Sequence, residues 1–200
     1  MSDKLKKLLD SKTAIFDGAM GTEIYKHNFF VNTSYESLCL TAPKVVREIH
    51  QSYKDAGADV LTSNSYGANS NKLCKFGLGD KLREINTAAV KLAREVIGDA
   101  PMLVAGSVGP VGEISTGAAR DSEAGVAIIS EHVDALASAG ADFIIFETLL
   151  SSRDLAPALK AMEVHPELEY MISLSLDENA ESAKGEPFHF LMDMISNAKV

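Results

Sequence analysis

The sequence has no tryptophan, few prolines, only two cysteines, and fewer cationic than anionic side chains. Two cysteines, Cys39 and Cys74, cannot form a disulfide framework, so we expect a reducing compartment, the cytoplasm. The formal net charge of −9 argues against nucleic-acid or anionic-membrane partners, since both require clustered Lys and Arg. No apolar run approaches the roughly 18 residues of a membrane span. The start of the chain lacks the features of a secretory signal.

What the sequence does contain is enough apolar material for a core, 46% of 200 residues, which suits one domain. Five short apolar runs bounded by turn residues are predicted as strands. They are residues 14–16, 60–62, 102–105, 143–146 and 170–176.

Amphipathic patterns with a helical period separate these runs. In the stretch from 41 to 58, Thr41 is the expected N-cap, Pro43 suits the first turn and Gly57 suits the end of the helix. The motif "AGAD" occurs at 56–59 and again at 139–142, each time between a helical pattern and a strand. Alternation of strands and helices predicts an α/β fold with parallel strands and right-handed crossovers.

Polar residues and glycines follow the predicted strands. Asp17 follows the first, Asn64 the second, Gly109-Pro110 the third and Glu147 the fourth. In a closed (β/α) barrel these positions converge at the carboxyl ends of the strands, where ligands bind. The sequence therefore predicts a ligand site that includes Asp17, Asn64 and Glu147.

The stretch "DGAMGT" at 17–22 joins an acid to a turn that contains two glycines. Gly18 and Gly21 permit a tight turn or the close approach of another group, because glycine has no Cβ. An acid beside free amide groups suits a zwitterionic ligand, although Asp17 could instead cap the turn.

The sequence resembles the homocysteine S-methyltransferase family, which includes the homocysteine-binding barrels of methionine synthase and betaine–homocysteine methyltransferase. Four motifs carry the resemblance in the family's order: "DGAMGT" at 17–22, "TAP" at 41–43 with "IHQSYKDAGADVLTSNSYGAN" at 49–69, "GSVGP" at 106–110, and "FETLL" at 146–150. The resemblance implies a (β/α)8 TIM-type barrel in which residues 1–200 supply about the first five strand–helix units.

The resemblance also implies the roles of particular residues. Asp17 and Glu147 would hold the ammonium group of homocysteine. Amides of the Asp17-Gly18 turn, near Met20, Gly21 and Thr22, would hold its carboxylate, and Asn64 matches a position near the pocket floor. The implied reaction is transfer of a methyl group to the homocysteine thiolate, which makes methionine.

Zinc is the implied cofactor, because a thiol is mostly protonated at neutral pH and zinc binding removes its proton. Family members supply three cysteine ligands from the sixth and eighth strands, and Cys39 and Cys74 fit no compact zinc spacing. The zinc ligands are therefore expected beyond Val200, and no residue of this sequence is predicted as a metal ligand or a catalytic group. The methyl donor, either cobalamin charged by methyltetrahydrofolate, betaine or S-methylmethionine, stays open.

The missing cysteines lead to two further expectations. An open parallel sheet would expose its edges, so we expect poor stability unless a complementing chain or a second copy covers them. An alternative function is a non-catalytic half-barrel module that binds an amino acid or a partner chain without zinc.

Overall fold

The computed structural model describes residues 3–30, 32–114 and 117–198. Its strands are β1 (Val60–Thr62), β2 (Leu103–Val108), β3 (Phe143–Leu149) and β4 (Tyr170–Leu174). Its α-helices are α1 (Lys4–Ser11), α2 (Met20–Lys26), α3 (Leu38–Thr41), α4 (Pro43–Asp55), α5 (Ser70–Cys74), α6 (Leu82–Ile97), α7 (Glu123–Ser138), α8 (Ser152–Val164) and α9 (Phe188–Ser196).

The four strands form one parallel sheet in the order β1-β2-β3-β4. Each consecutive pair is connected through at least one helix, as the alternating sequence pattern predicts. The fold is α/β, and sequential parallel strands joined by helices are consistent with part of a (β/α)8 barrel.

The first predicted strand, residues 14–16, is not a strand of this sheet. Phe16 makes a single parallel bridge to Val60, and the Asp17 amide donates to the Val60 carbonyl at 3.1 Å. The Asp59 carboxylate accepts from the Ile15 amide at 3.0 Å, so this amide is bound to a side chain. The segment still runs beside β1, which places Asp17 at the carboxyl end of the sheet.

The third predicted strand begins one residue later than expected, at Leu103, the fourth begins as expected at Phe143, and both continue further. β2 extends through Gly106 and Ser107 because both pair with β3, although glycine and serine interrupt the apolar run. β3 extends to Leu149 across a bulge in which the register with β4 shifts between Phe146 and Leu149. β4 is shorter than predicted and ends at Leu174.

The N-cap of helix α4 lies one residue later than predicted, at Ala42 instead of Thr41. Thr41 is the last residue of α3, and Ala42 is the N-cap of α4 with Pro43 as its first residue. Gly57 and Gly140 follow α4 and α7 with φ of +93° and +90°, a conformation that glycine adopts without a Cβ penalty. Both copies of the "AGAD" motif therefore end a helix in the same way.

The main core lies between the sheet and one layer of helices. Val104, Ile144 and Phe146 point to this side, where they pack against residues of α6, α7 and α8. Ala105, Phe143 and Ile145 point to the opposite face, where Leu5 of α1 joins their cluster. The strands are apolar on both faces, as expected for a buried parallel sheet.

Among the helices that the structure describes, none has the length and apolar character needed to cross a bilayer.

Candidate functional site

A cavity of about 660 Å³ opens at the carboxyl ends of the strands, on the face opposite to helices α6, α7 and α8. Such a volume is typical of sites for small molecules, which span about 300–1,000 Å³. Six of the seven predicted site residues line it: Asp17, Gly18, Met20, Gly21, Asn64 and Glu147. Thr22 lies in α2, exposed, and is not among the lining residues.

Asp17 is fixed at the start of the cavity by the neighbouring strand. Its Oδ2 accepts a hydrogen bond from the Thr62 amide at 2.8 Å, where β1 ends. Burial raises the pKa of Asp17 to about 6, and the charge of Glu147 acts in the same direction, while the bonds to Thr62 oppose both. Asp17 and Glu147 thus line one cavity, although they are 130 positions apart in the sequence.

Glu147 continues the alternation of Phe143 and Ile145 on the cavity face of β3, and a bulge at this point brings Thr148 to the same cavity. Phe146 pairs with Ile172 and Leu149 with Leu174, so Glu147 and Thr148 together lie opposite Ser173. Thr148 has φ of +58°, which is uncommon for a β-branched residue. Glu147 and Thr148 both line the cavity, whereas successive residues of a regular strand would point to opposite faces.

The site carries only negative formal charge. Glu36 is a third acid in the lining, and none of the lining residues, all within the described part of the chain, is Lys, Arg or His. Glu36 accepts hydrogen bonds from the Gly67 amide and the Ser34 hydroxyl, each at 2.8 Å. A cationic group on the ligand would offset this charge.

The turn from Asp17 to Gly21 is closely packed against helix α4. A Cβ on Gly18 would lie 2.8 Å from the Tyr53 hydroxyl oxygen, and this hydroxyl donates to the Ala19 carbonyl at 3.0 Å. Any larger residue at position 18 would therefore displace the Tyr53 ring. The first amides of α2, from Met20 onward, have no partner within their own helix, as at any helix start.

Asn64 contributes to the wall of the site, but its amide nitrogen already has a partner. Its Nδ2 donates to the Tyr35 carbonyl at 2.8 Å, which ties the loop after β1 to the segment that precedes α3. The adjacent Tyr66 also lines the cavity. Tyr66 is held against Gly109, whose amide donates to its carbonyl at 2.9 Å, and a Cβ on Gly109 would clash with it.

Several lining residues were missed by the sequence analysis, notably Tyr35, Glu36, Tyr66, Ser107 and Thr148. Ser107 had a usable signal, since it follows a buried strand run in the way that Asn64 and Glu147 do. Tyr35 and Glu36 had none, because they belong to an irregular segment whose position depends on tertiary contacts.

The zinc site that the resemblance implies does not fit the residues described here. They contain no group of three or more His, Cys, Asp or Glu side chains placed to hold a metal ion. Burial raises the pKa of the Cys39 thiol to about 12, so this cysteine is a neutral thiol at physiological pH. Cys74 is exposed and unpaired with Cys39.

A family model described as homocysteine S-methyltransferase matches residues 14–200. The chain belongs to this family. The match covers all the predicted site residues, from Asp17 to Glu147, and the four motifs that carry the resemblance.

Two curated relatives in the family differ in how much of their length this chain spans. The chain is 27% identical over 202 residues to homocysteine S-methyltransferase 4 of Zea mays, covering 88% of this chain and 59% of the maize protein. It is 28% identical over 161 residues to methionine synthase of Mycobacterium tuberculosis, covering 72% of this chain and 13% of that protein.

A solved structure supports the family's fold for nearly the whole chain. The metallated form of the homocysteine methyltransferase MmuM from Escherichia coli has a TM-score of 0.84 and 26% identity, covering 98% of this chain and 75% of that one. Its apo form gives a TM-score of 0.76 at the same identity and coverage of this chain.

Proposed function

We propose that this chain is the amino-acid-binding part of a homocysteine S-methyltransferase. The observation that carries the proposal is the presence of Asp17 and Glu147 in one cavity where no lining residue in the described part of the chain is cationic. Homocysteine brings the missing positive charge as its ammonium group. Family membership supports methyl transfer as the reaction.

In the proposed complex the ammonium lies between the carboxylates of Asp17 and Glu147. Charge-assisted hydrogen bonds of this kind are stronger than neutral ones. The substrate carboxylate accepts from amides of the Gly18–Thr22 turn, near Met20 and Gly21. Asn64 forms part of the wall beside it.

The proposed reaction moves a methyl group from a donor to sulfur. The thiol loses its proton to the solvent, the sulfur electron pair forms a bond to the methyl carbon, and the bond from that carbon to the donor breaks with its electrons going to the leaving group. The product is methionine. The donor is methylated cobalamin, betaine or S-methylmethionine, and nothing in the lining of the cavity selects among them.

We propose roles for the described residues in binding only. Zinc, when bound to a homocysteine sulfur, stabilises its thiolate form, and the E. coli relative has a metallated form. Cys39 and Cys74 do not supply that site. We further propose that residues 1–200 belong to one barrel domain, and that its location is the cytoplasm, which suits two free cysteines.

A second candidate function is amino-acid binding without turnover, and it is favoured because the described residues contain no group of three or more side chains that could hold a metal ion. The two candidates differ in metal content. Zinc in a one-to-one ratio with the protein purified together with a complementing chain, measured by mass spectrometry of the metal, supports the methyltransferase, whereas homocysteine binding with no zinc in that same material supports the module.

The decisive experiment is calorimetric titration of the full chain with L-homocysteine and with 4-sulfanylbutanoate, which has the same thiol and carboxylate but no ammonium group. We expect L-homocysteine to bind more tightly by about tenfold or more, because hydrogen bonds to charged groups contribute about 1.5–3 kcal/mol. Glu147→Gln should remove most of this difference.

Glu113→Gln is the matched control, since Glu113 is an exposed loop acid outside the cavity lining. It should leave both affinities unchanged. Equal affinity for the two compounds in the unaltered protein, or equal effects of the two substitutions, would contradict the proposed ammonium site.

A further inference from the structure

Among the described residues, one side chain donates a hydrogen bond to the Glu147 carboxylate, and the proposed function gives this side chain no role. The Ser107 hydroxyl, in β2, donates to Glu147 Oε2. Ser107 is 1% exposed and also lines the cavity. Its hydroxyl therefore lies at the boundary between the core and the site, directed at one of the two acids.

Glu147 lies at the bulge of β3, where a partner on the neighbouring strand can hold its side chain. Two residues of β3, Glu147 and Thr148, face one residue of β4, so the regular ladder is interrupted at this point. A glutamate side chain has several rotatable bonds, and ordering it has an entropic cost. A fixed donor on the neighbouring strand reduces the number of positions that the carboxylate can occupy.

Ser107 is itself held by two serines from the loop after β1. Its amide donates to Ser63 Oγ at 3.2 Å, and its carbonyl accepts from Ser65 Oγ at 2.8 Å. The hydroxyl oxygens of Ser63 and Ser65 are 2.7 Å apart. All three serines are buried, so we call Ser63, Ser65 and Ser107 the serine cluster.

We propose that Ser107 is a positioning residue for recognition of the substrate ammonium, acting through Glu147. The Ser107 hydroxyl donates to Glu147 Oε2, and no donor from the described residues reaches Glu147 Oε1. Glu147 Oε1 can therefore accept a hydrogen bond from the ligand. Hydrogen bonds to Ser63 and Ser65 hold the Ser107 backbone in place. Its hydroxyl can therefore hold Glu147, at the bulged end of β3, in a fixed position. This inference rests on the proposed function, because it assigns an ammonium group to the Glu147 carboxylate.

A purely structural role makes a different prediction. If the serine cluster only joins β1 to β2, removing the Ser107 hydroxyl lowers stability and weakens binding of every ligand of the cavity to the same extent. If Ser107 positions Glu147, removing the hydroxyl weakens the binding of only those ligands that carry an ammonium group.

The test is calorimetric titration of Ser107→Ala in the full chain with L-homocysteine and with 4-sulfanylbutanoate. We expect the dissociation constant for L-homocysteine to rise about tenfold, in line with loss of a hydrogen bond to a charged group. The dissociation constant for 4-sulfanylbutanoate should change less than about twofold. Ser107→Cys, which keeps the side-chain shape with a weaker donor, should give an intermediate value and serves if the alanine variant folds poorly.

Ser130→Ala is the matched control. Ser130 lies in α7, and its buried hydroxyl oxygen has no hydrogen-bond partner among the described residues, so its removal should change neither affinity. In a Glu147→Gln background, Ser107→Ala should have little further effect on L-homocysteine binding, because the two residues act as one unit.

The outcomes separate this inference from the proposed function. If Glu147→Gln weakens L-homocysteine binding and Ser107→Ala does not, or if Ser107→Ala weakens both ligands equally, the positioning role is wrong and the ammonium site stands. If the unaltered protein does not prefer L-homocysteine over 4-sulfanylbutanoate, both are overturned.

Discussion

The titration of a single residue, Asp17, links the proposed binding to pH. Its carboxylate is half-buried and accepts one backbone hydrogen bond, and the cavity lining that it shares with Glu147 contains no cation among the described residues. In the absence of ligand the ionised form is therefore destabilised, and the pKa rises to about 6. An ammonium group in the cavity would reverse this effect.

The first prediction concerns the stability of Asp17→Asn. An unfolded Asp has a pKa of about 3.9, so the native protein binds this proton more tightly than the unfolded chain does. Protonated Asp17 therefore contributes to the free energy of unfolding. This contribution is fully present below about pH 4 and is lost as the pH rises through about 6. Asp17→Asn should raise the free energy of unfolding by roughly 2 kcal/mol at pH 7.5 and by much less at pH 4.5, as measured by urea denaturation.

The same substitution should change ligand binding in the opposite direction. Affinity for L-homocysteine should increase between pH 5 and pH 7 in the unaltered protein, as Asp17 ionises, and should depend less on pH in the variant. A stability difference of equal size at both pH values would show that Asp17 does not titrate in this window.

Some of the residues that line the cavity could be predicted from the sequence, and others could not. Asp17 and Glu147 could be predicted because each follows an apolar run, and the carboxyl ends of parallel strands share one edge. Glu36 could not, since its place depends on hydrogen bonds to Ser34 and to the Gly67 amide. The backbone at Thr148 could not either, because no local sequence signal marks a β-branched residue for positive φ.

At the level of the elements, the strand starts were predicted more accurately than the strand ends. The apolar runs locate β1, β3 and β4, since buried parallel strands read as continuous apolar segments. Residues 14–16 have the same composition but make only one bridge, between Phe16 and Val60. Pairing partners, rather than composition, decide where a strand stops, and single-sequence patterns do not contain them.

The bulge in β3 gives the second prediction. A non-glycine residue with φ of +58° is strained by about 1–3 kcal/mol, and Thr148 is exposed, so glycine would relieve the strain without leaving a buried void. Part of this gain is offset because glycine increases the entropy of the unfolded chain. Thr148→Gly should raise the free energy of unfolding by about 1 kcal/mol in urea denaturation at pH 7.

Thr87→Gly is the matched control for that measurement. Thr87 is an exposed residue of helix α6, where glycine has no strain to relieve and should lower the free energy of unfolding by up to about 1 kcal/mol. Loss of stability in both variants would mean that the Thr148 backbone is not strained.

On the scale of the whole molecule, charge and apolar surface are distributed unevenly. The acids that line the cavity are at the carboxyl ends of the strands, whereas Asp142, at the opposite end of β3, accepts hydrogen bonds from Lys4 at 2.6 Å and Arg94 at 2.7 Å. The paired acid thus joins α1 and α6 to the sheet, and the unpaired acids face the site. This contrast separates the structural carboxylate from the carboxylates proposed to bind a ligand.

The last prediction concerns the apolar surface beside the edge strand β4. Residues of β4, α8 and α9 border a groove of about 520 Å³, and Phe188 and Met192 are 43% and 38% exposed there. An apolar surface beside an unpaired strand edge favours association of chains. We expect the protein to self-associate as its concentration rises, and Phe188→Lys to shift it toward the monomer in sedimentation velocity.

Phe76→Lys is the matched control, because Phe76 is also 43% exposed but lies after α5, outside the groove. Both substitutions add the same charge and remove the same side chain, so a difference between them isolates the contribution of the β4 edge. Equal effects would indicate that charge alone opposes association. A cooperative monomer at every concentration would show instead that the exposed edge of the sheet is tolerated without a partner, since edge strands can be protected by their own twist and by short length.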